Sequence, residues 1–261
     1  MNQILELLSK RKSVRVYERK KISQEARDTI LTATMRAPTA GNMMLYSIIE
    51  VKDQIAKDQL VKTCDNQPFI AKAPFVLLFL ADYQRWYDYY HVSGVEQHCR
   101  KKGIAMRQPQ EGDLFLACCD ALIAAQTAVI AAESLGIGSC YIGDIMENYQ
   151  KHKALFKLPR YVFPITLVCF GYPTRRQQER VLTQRFDKKF ILFEDHYRRL
   201  GKEAFEDMFR ERQTQMFGKR DVVKGTRNVG QMMYQKKFDS EFAHEMNRSV
   251  QAMLQAWKKD C

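Results

Sequence analysis

The order of elements along this sequence predicts a mixed α/β or α+β fold in a single domain spanning 1–261. Three observations carry that reading. Segments with helical apolar spacing alternate with short β-branched or wholly apolar runs. With 46% hydrophobic residues, the chain can fill a substantial core. No internal repeat, low-complexity tract or linker divides it.

Ile4, Leu7 and Leu8 recur at helical spacing in the first segment. Ser23 can cap a second helix that carries Ala26, Ile30, Ala33 and Ala37 on one face and is ended by Pro38. The run PTAGN that follows is rich in turn formers, and Tyr46–Val51 reads as a β-branched strand. Phe75–Ala81, apolar throughout, reads as a strand buried on both faces. Residues 83–112 are aromatic and charged without clean periodicity, which predicts a lid or irregular excursion. Next comes the clearest helix, Asp113–Leu135, rich in alanine, with Asp113 as its cap and Gly136 and Gly138 as its stop. It is interrupted mainly by Asp120, Gln126 and Glu133, so it belongs inside a domain or in a subunit interface. SCYIGDI and YVFPITLVCFGYP supply two more strands. From about Arg175 the chain is polar and basic, and a last helix sets Phe242, Met246, Val250, Met253 and Trp257 on one stripe.

Lys and Arg exceed Asp and Glu by 42 to 30, a formal charge of +12, which favours anionic partners. The lysines and arginines form no helix-turn-helix or zinc-finger pattern, so no nucleic-acid partner is expected. Seven cysteines without a CxxC pair suit a reducing cytoplasm, and adjacent Cys118 and Cys119 are expected to pack in the core. His91, His98 and Cys99 lack a fourth ligand at zinc spacing, so no metal is expected. The amphipathic start lacks a signal peptide's basic region and apolar run, and Ala73–Ala81 is too short to span a bilayer; a soluble, cytoplasmic protein without a membrane partner is expected. The GxGxxG and GxxxxGK[ST] phosphate loops and the GxSxG elbow are absent.

What remains is chemistry in four separated blocks. In RKSVRVY, an extended backbone would send Arg11, Ser13 and Arg15 to one side as an anion clamp. APTAGNMMLYSIIEV, ALIAAQTAVIAAESLGIGSCYIGDI and VFPITLVCFGYP follow in that order. Together the blocks resemble the nitroreductase superfamily, and in length and C-terminal extension its FMN-dependent NAD(P)H nitroreductase and flavin reductase branch.

The resemblance implies an α+β fold with a mixed sheet flanked by helices in an intertwined homodimer. It implies hydride passing from NADPH or NADH through bound FMN to nitroaromatic, quinone or flavin acceptors in a ping-pong cycle. Arg11, Lys12 and Ser13 would grip FMN at its phosphate and ribityl chain. Arg15 would face the N1/O2 edge, where reduction leaves negative charge, and with the Gly143 amide near N5/O4 it would form the catalytic pair. Pro38, Thr39, Ala40 and Asn42 would reach the flavin from the partner subunit. Tyr141 and Ile142 would pack on the ring, and Asp144 stands where a second glycine is common. Gln67 would bond the N3/O2 edge. Arg185 would add a phosphate contact, with Thr183 at its companion basic position. Arg212, Lys219 and Arg220 would meet the 2′-phosphate of NADPH. A specialised reductive dehalogenase-type relative, and a flavin-binding storage or sensing protein without turnover, are the alternatives.

Overall fold

A computed structural model describes residues 2–217 and 225–258. The chain divides into two compact units, Met1–Arg180 with Glu245–Cys261, and Val181–His244.

In the larger unit the chain runs α1 (Gln3–Lys10), α2 (Gln24–Thr34), β1 (Tyr46–Glu50), α3 (Gln54–Thr63), α4 (Phe69–Lys72), β2 (Phe75–Asp82), α5 (Gln84–Val92), α6 (Val95–Lys101), α7 (Glu111–Ser134), β3 (Gly138–Ile142), α8 (Tyr149–Leu155), β4 (Val162–Gly171) and α9 (Arg175–Gln178). The sheet order is β1-β2-β4-β3. All three strand pairings are antiparallel where a mixed sheet was expected, and parallel pairing is confined to a single bridge between Ser13 and Ser139. Between β3 and β4, α8 turns the chain back so that β4 re-enters the sheet from the end at which β3 left it, which makes that pairing antiparallel.

All eight residues of β2 are buried because both faces of the sheet are covered. Val76, Leu78 and Leu80 pack with Leu60, Phe69 and Ile70 on one side. Phe75, Leu77 and Phe79 pack with α7 and Ile30 on the other. Successive side chains of a strand point to opposite faces, so a doubly covered strand shows a continuous apolar run instead of alternation.

Helix α7 lays Ala117, Ala121, Ala124, Ala125, Ala128, Val129 and Ala132 against the sheet. Alanine's small side chain lets the helix backbone come close. The opposite face is not covered within one chain: Phe115 is 68% exposed, and Leu116, Leu122 and Ile123 are exposed as well. α1 buries none of its residues and leaves Ile4, Leu5 and Leu8 exposed. By length and composition alone α7 could cross a membrane, yet nine of its residues are buried within the chain.

Several local expectations are corrected. Residues 83–112 hold two helices, α5 and α6, because Tyr83, Tyr87 and Tyr90 pack against the core around Tyr161 and Phe163, a pattern too short to show periodicity. α7 begins at Glu111, and Asp113 sits inside it, accepting the Gln110 N–H at 2.7 Å. α2 stops at Thr34, ahead of Pro38. Cys118 is half-buried and Cys119 exposed, because they lie at the edge and on the outer side of α7.

The smaller unit carries α10 (Lys202–Phe217), α11 (Val229–Met233) and the first turn of α12 (Glu241–Lys258). From Glu245 onward α12 belongs to the larger unit, where Met253 and Trp257 are buried beside Tyr161 and Phe163. The Trp257 indole donates to the Gln110 carbonyl at 3.0 Å. Lys219 and Arg220 lie outside the described residues.

Candidate functional site

The clamp is built by ending a helix and continuing its chain as an extended segment that makes one bridge to the sheet. α1 closes at Lys10, and Arg11 takes an extended conformation with ψ near 132°. Ser13 then bridges Ser139, and the Val14 N–H donates to the Ser139 carbonyl at 2.8 Å. Val14 is buried directly over Gly138, where an added Cβ would stand 2.5 Å from the valine Cγ2. That close approach requires glycine. It also fixes the alternation, with Val14 facing in and its neighbours Ser13 and Arg15 facing out. Lys12 is occupied: its ammonium donates to the carbonyls of Gln178 at 2.7 Å and Arg180 at 2.6 Å. Arg180 in turn donates to the Ser13 carbonyl at 2.7 Å, so the block is latched to the chain after β4.

Neither Arg11 nor Arg15 has an ion pair among the described residues. The Arg11 charge acts on Glu133 and Tyr141, and both guanidiniums act on Cys140. Burial pushes the Glu133 carboxyl up to about 7 against the pull of Arg11. Burial also raises the Tyr141 phenol and the Cys140 thiol.

Where β3 ends, three more of the expected residues come together. The Tyr141 hydroxyl donates to Gln126 Oε1 at 3.2 Å, which draws its ring toward α7. Ile142 is 1% exposed and its side chain is part of the core. It is therefore the backbone of this segment that faces outward. Gly143 is exposed, and a Cβ there would meet no atom within 4 Å. Asp144 does not stand free: its Oδ2 accepts from the Gln67 amide at 2.9 Å, and the same amide donates to the Cys64 carbonyl at 3.1 Å. Behind it Glu147 is buried and pushed up to about 7, first by burial and then by Asp144, Asp65 and Glu245. Glu245 is held down at about 2 by its bonds to Arg248, Ser249 and the Asn148 N–H.

These residues fit FMN. Two unpaired guanidiniums flank a hydroxyl for the phosphate and the pyrimidine edge. An open surface at Gly143 admits a planar group, and Gln67 supplies an amide beside it.

The Pro38–Asn42 loop is held elsewhere. Asp120, 2% exposed, accepts from the Thr39 hydroxyl, from Ala40 N–H at 3.0 Å and from Leu45 N–H at 3.0 Å. α5 grips the other side, with Trp86 donating to the Met43 carbonyl at 2.7 Å and Arg85 to those of Met44 and Tyr46 at 3.1 and 2.8 Å. So held, Gly41, Asn42 and Met44 all take positive φ, and Pro38 and Asn42 are exposed. Asp120 and Glu133 lie thirteen residues apart on α7, about 20 Å of helix. One chain therefore does not bring this loop to the Arg11 end of the clamp.

Arg185 and Arg212, assigned to different ligands from sequence, line one small pocket of the smaller unit, about 160 Å³, together with Phe186 and Lys189. Arg212 lies over the Phe186 ring at 4.3 Å and donates to the Gln184 carbonyl at 3.3 Å, while Arg185 donates to Thr183 O at 3.2 Å.

Sequence reasoning missed Asp120, Gln126, Arg85 and Trp86 as supports of the site. Asp120 had a signal, since a lone carboxylate in an apolar helix needs buried donors. The other three bond to backbone or to distant residues and had none.

The model of the nitroreductase family matches residues 8–172, which include the clamp, the loop, α7 and all four strands. This chain belongs to the nitroreductase family. Among nitroreductase-family relatives, it is 33% identical over 180 residues to an FMN reductase [NAD(P)H] of Bacillus subtilis (strain 168), covering 69% of this chain and 70% of that protein. It is 28% identical over 200 residues to an oxygen-insensitive NADPH nitroreductase of Salmonella typhimurium, covering 77% of each. The solved structure of NfrA2 from B. megaterium superposes with a TM-score of 0.81 at 25% identity, over 98% of both chains.

Proposed function

We propose that this protein is an FMN-dependent NAD(P)H oxidoreductase that passes electrons to small oxidised acceptors, such as nitroaromatics, quinones or free flavin, in a ping-pong cycle. The observation that carries the reading is the pair of guanidiniums without an ion pair among the described residues, Arg11 and Arg15, set on an extended segment bridged to β3, whose far end presents the open surface of Gly143. FMN, when bound, supplies the hydride-accepting ring that no protein side chain can provide.

The chain's own residues bind, orient and stabilise. Arg11 and Ser13 hold the phosphate end. Arg15 stands at the pyrimidine edge, where a fixed cation favours the charge that reduction leaves behind. Gly143 offers its backbone N–H without a side chain to block a planar ligand. Gln67 is fixed in orientation by the Asp144 carboxylate and the Cys64 carbonyl, which accept its two amide hydrogens and leave the amide oxygen for a ligand. Lys12 serves the cradle indirectly, by tying it to the carbonyls of Gln178 and Arg180.

The site is shared in a homodimer. The exposed apolar faces of α1 and α7 form the subunit interface, and Pro38, Thr39, Ala40 and Asn42 serve the partner's flavin. Arg212 favours NADPH through its 2′-phosphate, and the protein works in the cytoplasm.

The test is colour. Purified protein should be yellow, bleach anaerobically with NADPH or NADH, and regain its colour with a quinone. A colourless protein sinks the reading, and a yellow one that neither nucleotide bleaches is a flavin store.

A further inference from the structure

Next to the clamp lies a cavity, about 640 Å³, that shares Arg15 with the roles above and whose other walls none of them uses. Its walls are the segment Arg15–Arg19 on one side and the start of α4, with Pro68, Phe69 and Lys72, on the other. It begins where the flavin cradle ends: Arg15 is its inner wall, and Pro68 follows Gln67 directly. Phe69, 8% exposed, gives it an apolar floor, and the Arg15 guanidinium lies over that ring at 5.8 Å.

The charge is one-sided. Arg15, Arg19 and Lys72 line the cavity against a single carboxylate, Glu18. Among the described residues, Arg19 and Lys72 have no ion pair, unlike Lys10, Arg27, Arg85, Arg107 and Arg175, each of which has a carboxylate partner. A cavity with an aromatic floor and cations at its mouth favours an aromatic molecule bearing an anionic group. The apolar floor takes the ring by burial, the Arg15 guanidinium offers it a cationic face, and the cations take the carboxylate, sulfonate or phosphate.

We infer that the cavity between Arg15–Arg19 and Pro68–Lys72 is an acceptor subsite, in which Arg19 and Lys72 select aromatic electron acceptors that carry an anionic substituent. The inference rests on the flavin oxidoreductase reading. It assigns to two exposed cations a choice among acceptors that the clamp itself does not make. The acceptor's oxidised ring reaches the flavin past Arg15, while its charged end stays in the cavity. A nucleotide phosphate is the other anion that could sit there, and the two half-reactions separate the possibilities.

The experiment uses the flavin-loaded protein and its Arg19→Gln/Lys72→Gln variant in anaerobic stopped flow. Flavin is first reduced by NADPH and then reoxidised by 1,4-naphthoquinone or by its 2-sulfonate, each taking two electrons and two protons to the hydroquinone. Both substituted side chains are exposed, so flavin content should match the parent. The expected result is a fall of about tenfold in the second-order rate of reoxidation by the sulfonate, from loss of two surface charges. The neutral quinone and the reduction by NADPH should be unchanged within about twofold. Lys72→Glu should widen the discrimination, and added salt should narrow it in the parent. Equal slowing of both quinones, or slowing of neither, overturns the inference. Slower reduction by NADPH with an unchanged quinone ratio assigns the cavity to the nucleotide and also overturns it. Failure of the parent to bleach overturns this inference together with the oxidoreductase reading, whereas bleaching without discrimination overturns this inference alone.

Discussion

The two halves of the proposed site are held in different ways. The clamp at Arg11–Arg15 is fixed mainly through backbone: a bridge to Ser139, an N–H to carbonyl bond, and carbonyls that accept from Lys12 and Arg180. The loop at Pro38–Asn42 hangs on one buried carboxylate, Asp120, with α5 bracing its far end. Backbone anchoring leaves the clamp's outward side chains free to be chosen for a ligand. Anchoring through side chains, Asp120 foremost, makes the loop depend on residues that touch no ligand.

The sharpest way to break that contrast is Asp120→Ala. It strands the N–H groups of Ala40 and Leu45 in the interior, and should cost about 3 kcal/mol of stability in a denaturant titration and empty the site of flavin. Asp120→Asn keeps the shape but turns an amide NH2 toward a backbone donor, so the fold should survive while flavin is lost. A flavin-loaded Asp120→Asn protein would contradict the loop's dependence on the carboxylate.

Next in size is the division of labour within the clamp. Arg15→Ala should slow anaerobic flavin reduction about a hundredfold with flavin saturating, since charge at the pyrimidine edge appears only on reduction. Arg11→Ala should weaken flavin retention in both redox states alike, because a phosphate contact does not change with reduction. Equal reduction rates in Arg15→Ala and parent would remove Arg15 from the catalytic role.

Gly138→Ala asks whether the backbone bridge carries the clamp. Its Cβ meets Val14 Cγ2, so strand and sheet must part, at a cost of about 2 kcal/mol in thermal unfolding. A neutral outcome would mean that the bridge can open without loss.

The last test concerns pH. Glu147 has an ordinary carboxylate value near 4.5 when unfolded and about 7 when folded. Between those values the folded state holds more protons, so this group's stabilisation is complete below about pH 4.5 and is lost as pH rises through 7. Glu147→Gln removes the titration. The variant should gain on the parent from pH 5 to pH 8, and a constant difference across that range would contradict the assignment.

Much of this was legible in the sequence because periodicity and order survive without coordinates. The continuous run Phe75–Ala81 marked a strand covered on both faces, and β2 is that strand. The alanine-rich helix pointed to burial inside a domain, and α7 buries one face in the core while Phe115 and Leu122 stay exposed. The clamp's alternation was visible because a strand's period is short. The supports were not. Asp120 reaches a loop some eighty residues earlier in the chain, Gln67 pairs with Asp144 across seventy-seven, and Gln126 meets Tyr141 only once α7 has packed on β3. Tertiary contacts of that range leave no local pattern. α5 was hidden for another reason: its aromatic residues are shared among the core, the loop and solvent, which blurs a helical stripe over nine residues.

The central claim, that each site takes its clamp from one chain and its loop from another, is tested most directly by mixing two defective chains. One carries Arg11→Ala, the other Asp120→Asn, and the tightly bound flavin of each alone and of their co-expressed mixture is measured. With random pairing into two-fold dimers, half of the dimers are mixed and each has one site built from two intact halves, so the mixture should recover about a quarter of the parent's flavin. A mixture holding no more flavin than the average of its two components would contradict a shared site and place both halves within a single chain.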